Sequence, residues 1–218
     1  MKISDIPAVN RILKREYARH EAPVVELTKA RTDDPFQILV TTILSARTKD
    51  DTTAAVSARL FKMVKKPHDF DRLTLKQLEK LIFPIGFYHT KARRLKALAG
   101  ELDRLFGGRI PETIEELVEL PGVGRKVANL VRAVAFDKPA VCVDVHVHRI
   151  CNRLGLIRTK DPFATEMALR NILPVRYWIT WNSYLVSFGQ TLCTPVGPRC
   201  SICPIHRYCS RVGVTRHR

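Results

Sequence analysis

Residues 119–131 read ELPGVGRKVANLV, and the reading of this stretch decides the fold. Leu117 and Leu120 close one apolar helical pattern, and Val127, Leu130, Val131 and Val134 stripe the next. Between them Pro121, Gly122, Val123 and Gly124 predict a tight reversal, with the glycines reaching positive φ and exposing backbone N–H groups. Such donors, backed by the positive end of the following helix, form a phosphate site. Helix, glycine hairpin and helix, over about residues 113–135, grip a nucleic-acid backbone without reading its sequence, so Gly122, Val123, Gly124 and Arg125 are candidate DNA contacts. Lys126 follows in the first turn of the second helix, where the helix dipole disfavours an ammonium. An amine so placed has two readings: one more phosphate-touching cation, or a nucleophile able to form a Schiff base. Position alone favours the cation.

The charge balance points the same way as the hairpin. Among 218 residues, 37 Lys and Arg stand against 21 Asp and Glu, a net charge of +16. That excess suits a polyanion, either nucleic acid or an anionic membrane surface. The basic residues are spread along the chain and not gathered on one amphipathic helix, which favours nucleic acid. No apolar run approaches the roughly 20 residues needed to span a bilayer. The start, MKISDIPAVNRIL, lacks a secretory apolar core and reads as a short amphipathic helix with Asp5 near its cap. The expectation is a soluble cytoplasmic protein, associated with the nucleoid and monomeric, without membrane contact. Thiols stay reduced in that setting, so six cysteines call for something other than disulfides.

Helical signals fill the chain. In DDPFQILVTTILSA, Asp34 is an N-cap, Pro35 the first helical residue, and Phe36, Leu39, Val40, Ile43 and Leu44 an apolar stripe. Thr74 with Gln77, and Thr113 with Glu116, have capping-box spacing. Gly86 and the Gly107-Gly108 pair punctuate helix ends. One segment, PAVCVDVHVHRI, alternates valines like a strand, yet Val147, Ile150, Cys151 and Leu154 also fit a helix with Asp144 as its N-cap. An extended run into Asp144 followed by a helix satisfies both patterns. The expected class is all-α.

Near the end, Cys193, Cys200, Cys203 and Cys209 are spaced C-x6-C-x2-C-x5-C. Four thiolates that close wrap one metal centre. Zinc ribbons favour two C-x2-C knuckles, and only one occurs here. The wider loops suit a bulkier [4Fe–4S] cubane, so iron–sulfur leads and zinc stays open. Cys142 and Cys151 fall outside the spacing and read as small core residues. Arg199, Arg207 and Arg211 surround the cysteines and are available to a DNA backbone.

Taken together, LSA at 44–46, GFYHTKA at 86–92, LPGVGRKVAN at 120–129, VDVHVHR at 143–149 and the cysteine tail resemble the endonuclease III family of DNA repair glycosylases. The resemblance covers nearly the whole chain. It implies two helical domains with a DNA-binding cleft between them. One is a six-helix barrel over 28–138; the other, from 1–27 and 139–218, holds the [4Fe–4S] cluster. It implies that Lys126 is the nucleophile and that Asp144, eighteen residues on, is its partner. The implied substrate is double-stranded DNA with a damaged base or an abasic site. The implied reaction removes oxidised or damaged pyrimidines and nicks the strand by β-elimination. Arg47, where the family usually has glutamine, and Phe87 are implied to fill the gap left by a flipped nucleotide; His146 matches a recurrent family position. Val145 departs from the usual threonine. The rival within the superfamily is a monofunctional mismatch-type glycosylase, which lacks lysine at position 126. The rival outside it is a non-catalytic DNA-binding protein, which has no use for Lys126 and Asp144 together.

Overall fold

The computed structural model describes residues 1–19 and 24–218. Residues 20–23, inside the expected first segment 1–27, lie outside the described part. Among the described residues the secondary structure is helical throughout, with no strand. The class is all-α.

The chain divides into two compact units, one formed by Met1–Pro23 with Pro139–Arg218 and the other by Val24–Lys138. It begins with α1 (Ile6–Tyr17) in the first unit. It then builds the second from α2 (Val24–Arg31), α3 (Pro35–Ser45), α4 (Asp50–Met63), α5 (Leu75–Ile82), α6 (Tyr88–Phe106), the single turn α7 (Ile114–Leu117) and α8 (Arg125–Phe136). It finally returns to the first unit with α9 (Val145–Leu154), α10 (Pro162–Ile172) and α11 (Trp178–Thr191). The cysteine tail follows as short 3₁₀ turns at Cys200–Ile202 and His206–Tyr208.

The second unit is organised around α3, which packs against α2, α4, α6 and α8. Its start is as the sequence predicts: Pro35 opens it, and the Asp34 carboxylate accepts the Phe36 N–H at 2.9 Å. Its burial is wider than the predicted stripe. Phe36 and every residue from Ile38 to Leu44 are buried, including Thr41 and Thr42. A helix covered on all sides has no polar face, and these threonines avoid unsatisfied hydroxyls by bonding inward. Thr42 donates to the Ile38 carbonyl at 2.7 Å, and Thr41 to Ser57. The Thr74–Gln77 capping box forms at the start of α5, and Gly107, at φ +60°, ends α6.

In the first unit α1 and α9 pack against α11. Ile6, Val9 and Leu13 meet Ile150, Leu154, Trp181 and Leu185 in one core. Asp5 does not cap α1 with its side chain; its carboxylate turns back to accept the Lys2 N–H at 2.8 Å. The valine alternation before Asp144 runs as extended coil with Val141 and Val143 buried. Cys142 and Cys151 are buried, and burial pushes the Cys151 thiol up to about 12, as befits inert core residues.

Candidate active site

The hairpin is built from α7, the turn at 118–124 and α8. Leu117 and Leu120 are buried beneath it, and the Val123 N–H closes the turn on the Leu120 carbonyl at 3.0 Å. Only one of its glycines has positive φ, which corrects the sequence expectation. Gly122 stands at φ +86°, with Arg94 packed 3.1 Å from where a Cβ would lie. Gly124 has φ −90° and ψ 172°, which any residue adopts, and an added Cβ would meet nothing within 4 Å. The protein's own packing therefore gives no reason for glycine at 124. Gly124 is the N-cap of α8 yet offers no side chain to its N–H groups, and its carbonyl starts the helix by accepting the Ala128 N–H at 3.0 Å. Arg125 and Lys126 are the first two residues of α8, and Lys126 and Gly124 are exposed.

In the other unit Asp144 caps α9. Its Oδ1 accepts the N–H groups of both His146 and Val147, each at 2.9 Å. Both bonds fall on one oxygen, so capping occupies half of the carboxylate. His146 lies half-buried, with Nδ1 3.1 Å from Arg149 Nη2. His148 is held at 2.7 Å from the Thr165 hydroxyl. Val145 is 66 % exposed at the first position of the same helix.

Arg47 and Phe87 come together. Both lie in left-handed backbone, at φ 55° and 58°, a region costing a non-glycine residue about 1–3 kcal/mol and concentrated at functional sites. The Arg47 guanidinium carbon stands 5.3 Å from the Phe87 ring centre. Phe87 is 62 % exposed and takes no part in the core.

The four tail cysteines line one pocket, whose walls include Ile150, Leu154, Phe188 and Ile205. Among the described residues no three His, Cys, Asp or Glu side chains converge closely enough to share a single metal ion. The thiols stand around a space instead. Burial, with the nearby thiols of Cys209, Cys193 and Cys200 adding, pushes Cys203 up to about 11. Cys209 Sγ lies 3.4 Å from the Arg211 N–H, a donor suited to a thiolate. The arginines that hold this loop come from α9, which the sequence did not single out. Arg149 donates to the Cys193 carbonyl at 2.8 Å, and Arg153 to those of Thr194 and Pro195, each at 2.7 Å. They sit four residues apart on one helix face, a signal available in the sequence. Arg199, Arg207 and Arg211 are exposed.

Residues 40–174 match the model of the HhH-GPD superfamily base excision DNA repair proteins. Endonuclease III of Thermotoga maritima is 43% identical over 176 residues, which are 81% of this chain and 83% of that protein. A trapped endonuclease III–DNA covalent intermediate with an estranged adenine is 37% identical, with a TM-score of 0.78 over 82% of this chain and 84% of that one. A thermostable thymine-DNA glycosylase is 26% identical, with a TM-score of 0.82 over 95% of this chain and 96% of that one. Backbone similarity alone does not separate these two structures, and sequence identity favours the first. With a superfamily match over more than half of its length, the chain belongs to the endonuclease III family of base excision DNA repair proteins.

Proposed function

We propose that the chain is a bifunctional DNA glycosylase and AP lyase that removes oxidised or damaged pyrimidines from double-stranded DNA. The observation that carries this reading is the placement of Lys126: an exposed amine-bearing residue at the start of α8, immediately after an open glycine hairpin. A hairpin that takes a phosphate on its N–H groups brings the adjacent sugar within reach of that helix end. Gly124, which the protein's own packing does not require, then serves the close approach of a DNA backbone.

Side chains of this chain, with water, supply the chemistry. The damaged nucleotide leaves the stack, because its reacting atoms are out of reach inside a duplex. Positive charge grows on the sugar as the glycosidic bond weakens, and the carboxylate of Asp144 stabilises it. The Lys126 Nζ lone pair attacks C1′, and the bond to the base breaks with its electrons leaving on the base. The attached nitrogen then gives up one proton, its lone pair opens the C1′–O4′ bond with the bond electrons going to O4′, and O4′ takes a proton, which leaves an iminium. That cation acidifies C2′; removal of a C2′ proton expels the 3′ phosphate, and water then releases Lys126.

The tail fits a [4Fe–4S] cluster held by Cys193, Cys200, Cys203 and Cys209. Four thiols around an apolar cavity suit a polynuclear centre better than one zinc ion with sulfur at about 2.3 Å. Bound there, the cluster supplies a covalent brace that ties the loop at 193–209 together. Arg149 and Arg153 fix the first ligand's end of that loop. Purified protein should contain iron and sulfide and absorb broadly in the visible; zinc alone would contradict the cluster. The activity is tested on duplexes carrying an oxidised thymine or cytosine. The expected result is release of the base and a 3′ end left by β-elimination. Base release that leaves an intact abasic strand would support the monofunctional alternative.

A further inference from the structure

Lys91 joins the Arg47 loop to the Phe87 loop. Lys91 is 6 % exposed, and its Nζ donates to the carbonyls of Leu44 at 2.9 Å and Ala46 at 2.6 Å. Those carbonyls end α3, where the helix dipole is negative and the last carbonyls lack intrahelical partners. Burial pushes Lys91 down to about 8, so keeping a cation here opposes desolvation that an apolar side chain of the same length would not meet. A second clip joins the same loops: the Gly86 N–H donates to Thr48 Oγ1 at 3.0 Å. The backbones are too close for a side chain at 86, since a Cβ there would lie 2.4 Å from the Arg47 carbonyl oxygen. Between the two clips, Arg47 and Phe87 are held in left-handed backbone and stacked on each other while remaining open to solvent.

We infer that Lys91 is a positioning residue that locks Arg47 and Phe87 into one preformed wedge, ready to fill the gap left by a flipped nucleotide. The inference rests on the repair-enzyme reading and deepens it. Lys91 touches neither sugar nor base; it acts through the end of α3. A wedge matters only where a second strand leaves a gap to fill, and this separates the role from general stability.

The test compares Lys91→Met with wild type on two substrates. Cleavage of lesion-bearing duplex should fall at least tenfold in kcat/KM. Borohydride trapping on single-stranded abasic DNA, which has no opposite base, should stay within twofold of wild type. If both fall together, or neither falls, the positioning role is overturned. Should Lys91→Met not fold, Thr48→Val removes the second clip and carries the same two expectations. Wild type that fails to trap on single-stranded abasic DNA would overturn the lyase reading, and this inference with it.

Discussion

At the scale of single residues, Asp144 caps α9 and, in the reaction proposed above, also carries the charge that steadies the sugar. Its Oδ1 takes two N–H groups at the start of α9, a cap worth about 1 kcal/mol. Asparagine caps about as well but carries no charge. Asp144→Asn should therefore leave the melting temperature nearly unchanged while base release slows at least a hundredfold; equal losses in both would reduce Asp144 to a cap. The roles given to Lys126 and Asp144 came from the family resemblance, since residue type and position alone favour a phosphate-touching cation and a helix cap. Lys91 was not singled out, although a signal existed: it falls on the buried face of α6 with Ala92, Leu95, Leu98 and Ala99. A lysine in such a stripe reads as exposed unless carbonyls from a distant helix end are known to meet it. The contact between Arg47 and Phe87, forty residues apart, has no local signature either.

At the scale of elements, the caps at Asp34 and Thr74, the helix after Asp144 and the glycine hairpin follow from local patterns, whereas the expected cap at Asp5 does not form. The hairpin's two glycines differ in a way that spacing does not reveal. Gly122 is required by its φ, whereas Gly124 has ordinary backbone and open space around it. Serine at 124 adds a Cβ and a better N-cap than glycine, so Gly124→Ser should hold or raise thermal stability. Binding to duplex DNA should weaken at least tenfold, measured by fluorescence anisotropy. Unchanged affinity would remove the hairpin from the DNA contact. On α9, Arg153 ties the helix to the cysteine loop through two carbonyls. Arg153→Met should speed iron loss to a chelator, followed by the fall in visible absorption. Iron retention equal to wild type would show that this tether does not hold the loop. The full burial of α3 exceeded its apolar stripe because a central helix is covered by neighbours on every side, a property of packing and not of its own periodicity.

At the scale of the whole molecule, a net charge of +16 predicts strongly salt-dependent binding to undamaged duplex. If six or more phosphates are neutralised, affinity should drop about a thousandfold between about 50 and 200 mM salt. A flat response would contradict a backbone-gripping protein. The basic excess, the hairpin and the four-cysteine tail together made class and family readable from the sequence, because composition and local spacing carry them. The cavity behind the cysteines, and the reach of the α9 arginines to its loop some forty residues on, depend on how the chain folds back and have no local signature. Backbone similarity places a trapped endonuclease III and a thymine-DNA glycosylase comparably near, at TM-scores of 0.78 and 0.82, so the identity of the nucleophile needs a test of its own. Borohydride reduction of wild-type protein on an abasic duplex, with the cross-linked peptide mapped by mass spectrometry, tests that identity most directly. The account predicts one adduct at Lys126 and none in Lys126→Ala. The absence of an adduct in wild type, or an adduct on another lysine, Lys91 included, would contradict it.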